Sequence, residues 1–304
     1  MPCFYRNHTA YSKLMISKEE LNQSILRQNI LTESKSLLIE YIYLIKKLAI
    51  IDKRLKFADD IHNASLIRLE VGDANALEIN KAKLHLMQVQ KQEKEARTEV
   101  LAIREKLKSL NGGEEIGISV EDYPIESLID IDYVMYNRLS LDPELLYSQK
   151  YIEASQKQLK VTKNLHLPKF NLGYGTETVA DEKFKGFLIG VSIPLWSNKR
   201  AIQQVKFETQ YYDLNALSIN QSKIAETNVL YKKAASLEES LISYKTVLSN
   251  VNSEELLNQS LEAGEISIID FFTEMFYYYE VYDDFLKVEK DYHQALAELY
   301  KYKL

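Results

Sequence analysis

Residues that could catalyse a reaction or bind a metal are present in this chain, but their spacing matches no such site. The five histidines are His8, His62, His85, His166 and His293. They are scattered, without the short spacings that hold zinc. No glycine-rich phosphate loop follows a predicted strand, and no nucleophile elbow is present. The paired acids Glu93/Glu95 and Asp283/Asp284 are interpreted as solvated helix faces. The sequence therefore predicts no enzyme, no cofactor and no metal site.

Composition excludes further classes of protein. The 304 residues carry a net charge of −6 with both signs evenly mixed, which argues against nucleic-acid binding. The single cysteine, Cys3, allows no internal disulfide and is interpreted as an incidental thiol. The sequence contains no apolar run of about 18 residues, so it predicts no transmembrane helix. Residues 1–18 also lack the apolar core of a secretory signal.

Two similar turns mark an internal duplication. Each is a Leu-Glu-small-Gly-acid sequence, followed five residues later by an apolar residue and an acid. Gly72 of the first turn and Gly264 of the second are 192 residues apart. The same offset pairs Pro2 with Pro194. An ungapped register from one end of the chain to the other indicates two repeats.

Long helices flank each turn. Apolar residues at alternating steps of three and four predict a helix from Tyr11 to Glu70 and another from Leu77 to Leu110, which form an antiparallel coiled-coil hairpin. Gly72 ends the first helix, and Asp73 or Asn75 caps the next one. The predicted seam of the first helix consists of Leu37, Tyr41, Leu44, Leu48, Ile51, Leu55, Ala58, His62, Ser65 and Leu69.

These patterns predict a mainly α protein with two repeats. The first repeat covers 1–113 with its tip at 71–74, 114–141 is a connector, and the second repeat covers 142–304. The second repeat contains a helix over 143–167, a β-hairpin over 169–195, and a helical hairpin over 198–302 with its tip at 263–266.

The β-hairpin has one apolar face. In its second strand Phe187, Ile189, Val191 and Ile193 alternate with small or polar residues. This pattern is typical of a membrane-barrel strand, and these four residues are predicted to face lipid. A two-stranded ribbon that covers a soluble core fits the pattern equally well. The two alternatives differ in whether the chain's own helices cover the apolar face.

Several motifs together resemble the TolC family of outer-membrane efflux proteins. They are the two tip turns, Asp142-Pro143-Glu144-Leu145 opening a helix, Leu167-Pro168-Lys169-Phe170 entering the hairpin, and Gly190-Val191-Ser192-Ile193-Pro194-Leu195-Trp196 leaving it. The resemblance covers nearly the whole chain. It implies a homotrimer in the cell outer membrane, with β-hairpins in a shared barrel and long helices in a periplasmic tunnel. It also implies a periplasmic adaptor that links the channel to an inner-membrane pump.

The resemblance also implies roles for individual residues. The tips dock on the adaptor, and the matching residues here are Gly72, Asp73, Gly264 and Glu265. Acidic residues narrow the tunnel entrance, and the matching residues are Asp270 and Glu78. A ring of such acids would attract cations. Alternatively, both acids lie near helix starts only because the helix dipole favours them there.

The offset predicts that the first repeat lacks its leading helix and β-hairpin, because Pro2 matches the end of the second strand. By this interpretation the chain resembles an N-terminally truncated family member. The predicted function is the channel component of a tripartite efflux, or type I secretion-like, system. The alternative is a soluble coiled-coil scaffold with a β-ribbon that does not meet the membrane.

Overall fold

The computed structural model describes residues 2–72, 75–164, 167–179, 182–192, 199–250 and 253–304. Its helices are α1 (Pro2–Glu70), α2 (Ala76–Leu110), α3 (Ile131–Leu141), α4 (Pro143–Asn164), α5 (Lys199–Asn250), α6 (Ser253–Glu262) and α7 (Ile268–Leu299). A short 3-10 helix, Lys301–Lys303, follows α7. Strands β1 (Lys169–Val179) and β2 (Glu182–Ser192) pair antiparallel. The prediction of a mainly α fold with one β-hairpin is confirmed. In the described part of the chain, no helix is both long and apolar enough to cross a membrane.

Helix α1 is longer than its apolar pattern predicts. It begins at Pro2 rather than at Tyr11 and continues for 69 residues, or about 100 Å. Proline suits the first turn of a helix because its missing N–H has no partner there in any case. The residues before Tyr11 carry no apolar stripe, so the spacing of apolar residues alone did not predict that the helix extends over them.

The buried stripe of α1 changes phase partway along the helix. The sequence predicted Leu55 and His62 on the seam. Both are half-buried, and Leu55 packs against the cluster between α1 and α2, but Arg54 and Ile61 are more deeply buried, and Leu69 is 44% exposed. The physical reason is that this part of α1 contacts α7 as well as α2, so a single seam cannot serve both neighbours. The buried stripe here consists of Ile51, Arg54, Ala58, Ile61 and Ser65.

The chain divides into two compact units, each built from both ends of the sequence. One unit contains Met1–Arg27 and Tyr136–Ala225, and the other contains Gln28–Met135 and Glu226–Leu304. The second unit holds three apolar clusters. One lies between α1 and α2, one surrounds the C-terminal half of α7, and one lies near the helix tips.

The last part of the predicted connector 114–141 is helix α3. The remaining part, residues 114–130, keeps the name connector below and is held in the second unit by side chains. The Lys35 ammonium lies 2.9 Å from Glu126 Oε1. The hydroxyl of Tyr300 accepts a hydrogen bond from Ile129 N and donates one to Ser127 O, both at 3.0 Å. All residues of the connector are described, and none of the backbone groups of 115–123 has a hydrogen-bond partner among the described residues. The connector therefore depends on side-chain contacts for its position.

A buried aromatic pair provides another of these contacts. Tyr123 of the connector stacks on His293 of α7, with 4.3 Å between ring centroids. The Lys46 ammonium lies 4.6 Å from the Tyr123 ring and 3.0 Å from Glu289 Oε2. Burial lowers the pKa of His293, so its neutral form is favoured. Glu289, a buried acid on α7, thus has the Lys46 ammonium as its partner.

Candidate functional site

The chain reverses direction at two glycines with left-handed backbones. Gly72 has φ +80° and Gly264 has φ +71°. At the second turn Gly264 N donates to Leu261 O at 3.1 Å, and Glu265 N donates to Ser260 O at 2.9 Å. This pair of bonds is a Schellman motif, which satisfies the last carbonyls of α6. Any other residue except asparagine would be strained at these positions.

The helices that return from both turns begin with matching caps. At α2, Asn75 Oδ1 accepts from Glu78 N at 3.0 Å, and Asn75 Nδ2 donates to Glu78 Oε1 at 2.8 Å. At α7, Ser267 Oγ accepts from Asp270 N at 3.1 Å and donates to Asp270 Oδ2 at 2.6 Å. Each acid is the third residue of its helix and turns back onto the capping residue. The helices that follow the two turns therefore begin with the same local hydrogen bonding, made by different side chains.

These caps bear directly on the two acids that the resemblance assigns to a tunnel constriction. The carboxylates of Glu78 and Asp270 are engaged at helix starts, as the alternative interpretation expects. Asp270 nonetheless remains exposed, whereas Glu78 is half-buried and lies 4.0 Å from the Arg68 guanidinium. Their role in a constriction stays a prediction. Among the predicted docking residues Gly72, Gly264 and Glu265 are exposed, and Asp73 lies outside the described residues.

An ion pair joins the two helical hairpins above the tips. The guanidinium of Arg54, 5% exposed, forms two bonds to Asp283, with Nη1–Oδ2 at 2.9 Å and Nη2–Oδ1 at 2.7 Å. Arg54 also lies over the Tyr279 ring at 4.1 Å. The interpretation of Asp283 as part of a solvated face is therefore wrong, because its carboxylate neutralises a buried cation. The neighbouring Asp284 is exposed.

Sequence reasoning missed Arg54 altogether. One signal was present, because Arg54 continues the three-four stepping from Ile51 to Ala58. Arginine is rarely buried unless it is paired, and its partner lies 229 residues away in the chain. No local pattern links the two positions.

The β-hairpin separates apolar from small residues. Directly opposed pairs on one face are Phe170/Val191, Leu172/Ile189 and Tyr174/Phe187. Pairs on the other face are Asn171/Gly190, Gly173/Leu188 and Gly175/Gly186. The six apolar side chains of the first face are between 53% and 84% exposed. The chain's own helices thus leave this face uncovered, and contiguous exposed apolar surface of this kind marks an interaction or membrane site.

The predicted lipid-facing residues can be located in this arrangement. Phe187, Ile189 and Val191 all lie on the exposed apolar face, and the rings of Tyr174 and Phe187 are 5.3 Å apart across the strands. Ile193 lies outside the described residues. The contact of this face with lipid remains a prediction.

Comparison with known proteins gives a result only at the level of structure. No family model and no curated protein matches the sequence. Among solved structures, CusC, described as forming a transmembrane channel, superposes with a TM-score of 0.83 at 12% identity over 98% of this chain and 73% of its own. The open-state MtrE outer-membrane channel of Neisseria gonorrhoeae gives 0.81 at 14% identity over 98% and 71%. The chain has the fold of the TolC-type outer-membrane channels.

A third example extends the agreement. The outer-membrane protein VceC of Vibrio cholerae superposes on the TolC-type fold of this chain with a TM-score of 0.74 at 12% identity, over 99% of this chain and 73% of its own. The resemblance drawn from the tip turns and the hairpin motifs is confirmed for the fold. The identities are too low to transfer individual residues, so the docking and constriction roles of the tip residues stay predictions.

Proposed function

We propose that this chain is a subunit of an outer-membrane efflux channel, with its β-hairpin in the outer membrane and its long helices in the periplasm. The observation that carries the proposal is the agreement of the fold with such channels over 98% of the chain. The uncovered apolar face of the β-hairpin supports it, because a soluble protein gains nothing from six exposed apolar side chains on one ribbon face.

In this proposal three copies form the channel, and their hairpins share one barrel. Closure into a barrel would give every strand edge a partner, as lipid requires. The channel is a passive conduit without catalysis. Substrate passes from an inner-membrane pump through a periplasmic adaptor, which docks on the tips around Gly72, Asp73, Gly264 and Glu265. The exposed backbone turns at both glycines are suited to such a contact.

Asp270 and Glu78 are proposed to set the charge of the channel entrance. Their caps hold both carboxylates at the tip end of the helices, so each copy contributes two negative charges there. Rings of carboxylates favour cations over anions. The caps also limit side-chain motion, which keeps these charges in place.

Membrane fractionation and single-channel recording test the proposal. We expect the tagged chain in the outer-membrane fraction, three subunits after cross-linking, and conductance steps in planar bilayers. Asp270→Asn should lower the cation preference measured by reversal potential, whereas Glu105→Gln, exposed on α2 and about 40 Å from Glu78 along that helix, should change it little. A monomeric chain that stays in the aqueous fraction and never conducts would instead support the soluble scaffold.

A further inference from the structure

Two adjoining cavities form a groove between α2 and α7. The cavity nearer the tip has a volume of about 390 Å³ and is lined by Leu84, Phe272, Phe276 and Tyr277, among others. The second has a volume of about 260 Å³ and continues along α7 to Asp284. The cavities share His85, Gln88 and Phe276 as lining residues. Together they have the size of a site for a drug-sized molecule.

The groove contains aromatic surface that the protein does not use internally. Phe276 and Tyr277 are 56% and 59% exposed, and Leu84 opposite them is 66% exposed. Phe272 contacts His85 across the groove, with 4.7 Å between ring centroids. No cation lies over Phe272, Phe276 or Tyr277 among the described residues. Phe272 is already packed against His85, so the exposed rings of Phe276 and Tyr277 are the ones available for stacking and for cation–π contacts.

Unpaired acids line the far end of the groove. Glu280, Asp283 and Asp284 all line the second cavity, but Arg54 occupies both oxygens of Asp283. Glu280 and Asp284 are exposed, and no described Lys or Arg pairs with either of them. The charge is also biased over a longer stretch, because residues 246–286 contain nine Asp or Glu and no Lys, Arg or His.

The matching part of the first hairpin does not share this bias. Residues 54–94 contain seven Lys or Arg and six Asp or Glu. The acidity is thus a property of the second hairpin and not of the repeat. Five of the nine acids lie on α7, the helix that supplies the aromatic side of the groove.

Two buried polar atoms beside the second cavity have no partner. Tyr279, 9% exposed, and Arg54, 5% exposed, both line this cavity. The Tyr279 hydroxyl and Arg54 Nε lack hydrogen bonds within the described residues. Buried polar atoms without partners are uncommon, but both of these atoms have almost no accessible surface, and Arg54 Nε is a donor that a cation cannot satisfy, so neither specifies the ligand.

The lining also limits the class of ligand. No group of three His, Cys, Asp or Glu in the described residues could hold a metal ion, so an inorganic cation lacks a coordination shell here. The exposed Lys81 lines the first cavity, so a ligand's positive charge is disfavoured at that end of the groove. With Arg54 paired to Asp283, Glu280 and Asp284 leave the second cavity negative, which favours a cationic group there and disfavours anions. Burial and the nearby Arg54 lower the pKa of His85, so this imidazole adds no positive charge at neutral pH.

We propose that the groove between α2 and α7 binds aromatic organic cations. The planar part of the ligand stacks on Phe276, with the Tyr277 ring standing at 73° beside it, and its positive charge lies toward Glu280 and Asp284. The site goes beyond the proposed conduit, because it gives the channel wall a preference among the molecules that reach it.

Ethidium is a suitable probe because it is planar, permanently cationic and fluorescent when removed from water. We expect saturable binding to the purified full chain, measured by fluorescence titration. Glu280→Gln combined with Asp284→Asn should weaken binding about tenfold, because two partly exposed charge contacts each contribute a factor of about three to five. Phe276→Leu should also weaken it several-fold by removing the stacking surface.

Glu274→Gln is the matched control, since Glu274 is exposed on the same helix and lines neither cavity. It should leave the dissociation constant within twofold of the wild type. Circular dichroism checks that each variant retains its helices. The proposal is overturned if the wild type does not bind ethidium, if the double variant binds as tightly as the wild type, or if Glu274→Gln weakens binding equally. Equilibrium binding needs no conduction, so failure here would leave the channel recordings unaffected.

Discussion

Asp283→Asn tests how strongly the ion pair above the tips joins the two helical hairpins. Arg54 is 5% exposed and directs two short bonds at the Asp283 carboxylate. Removing one partner of a buried pair costs about 3–5 kcal/mol, because the remaining charge stays buried. The Asp283 side chain is 35% exposed, so water can replace part of the lost interaction. We therefore expect a loss of about 2–3 kcal/mol, reduced further by the contact that Arg54 retains with the Tyr279 ring.

Hydrogen–deuterium exchange of the α7 amides measures this loss locally. A change of about 2 kcal/mol corresponds to roughly 30-fold faster exchange where local opening governs it. Asp284→Asn is the matched control because Asp284 is adjacent, exposed and without an ion pair, and its exchange should change by less than about twofold. The double variant Arg54→Met/Asp283→Asn should regain most of the protection, since an apolar side chain replaces the unpaired cation.

The reasoning fails if Asp283→Asn exchanges no faster than Asp284→Asn. It also fails if the double variant is as poorly protected as the single one. In the first case the pair contributes no more than a surface contact. In the second case the loss comes from a change in packing rather than from an uncompensated charge.

Three further predictions follow from the turns, the hairpin and the buried histidines. Gly264→Ala should destabilise the second tip by about 1–2 kcal/mol because φ is +71°, whereas Gly264→Asn should destabilise it less. Hydrogen exchange of the amides around 260–268 measures both effects, and equal exchange rates in the two variants and the wild type would show that backbone strain is unimportant. Ile189→Lys should reduce membrane insertion by about 2–4 kcal/mol in a refolding assay, and Asn171→Lys on the opposite face should do so far less; equal effects would contradict the assignment of faces. Burial lowers the pKa of both His85 and His293, so the unfolded chain binds protons more readily than the folded chain. The free energy of unfolding should therefore fall as pH drops below about 6.5. The urea midpoints at pH 7.5 and pH 5 should differ less in His85→Gln or His293→Gln than in the wild type.

The helices and the β-hairpin were predictable because each is encoded by a local period. Steps of three and four marked the helices, and alternation marked the strands. The start of α1 was missed because Pro2 and the residues after it carry no apolar stripe. The turn glycines were recognised because only a left-handed cap explains Gly at that position between two helices.

The details of the candidate sites were less predictable. Asn75 was one of the two residues predicted to cap α2, and the structure confirms it. The cap at Ser267 was readable in principle, because a capping residue followed three residues later by Glu or Asp is a local pattern. The ion pair between Arg54 and Asp283 could not be predicted, because the two residues are far apart in the sequence and neither lies in a local pattern that indicates its partner. The groove next to them depends on how α2 and α7 approach, which no single-helix pattern contains.

The connector gives an experimenter access to the protein without disturbing its helices. Ile125 is fully exposed at the centre of a local turn that Glu126 N closes by donating to Pro124 O at 2.9 Å, and the backbone of 115–123 makes no hydrogen bond with the described residues. An epitope, a fluorophore or a protease site introduced near Ile125 should be tolerated, because the neighbouring segments are anchored separately through Glu126 and Tyr300. Labels placed there would report on the assembly in living cells while leaving both helix tips and the hairpin in their natural sequence.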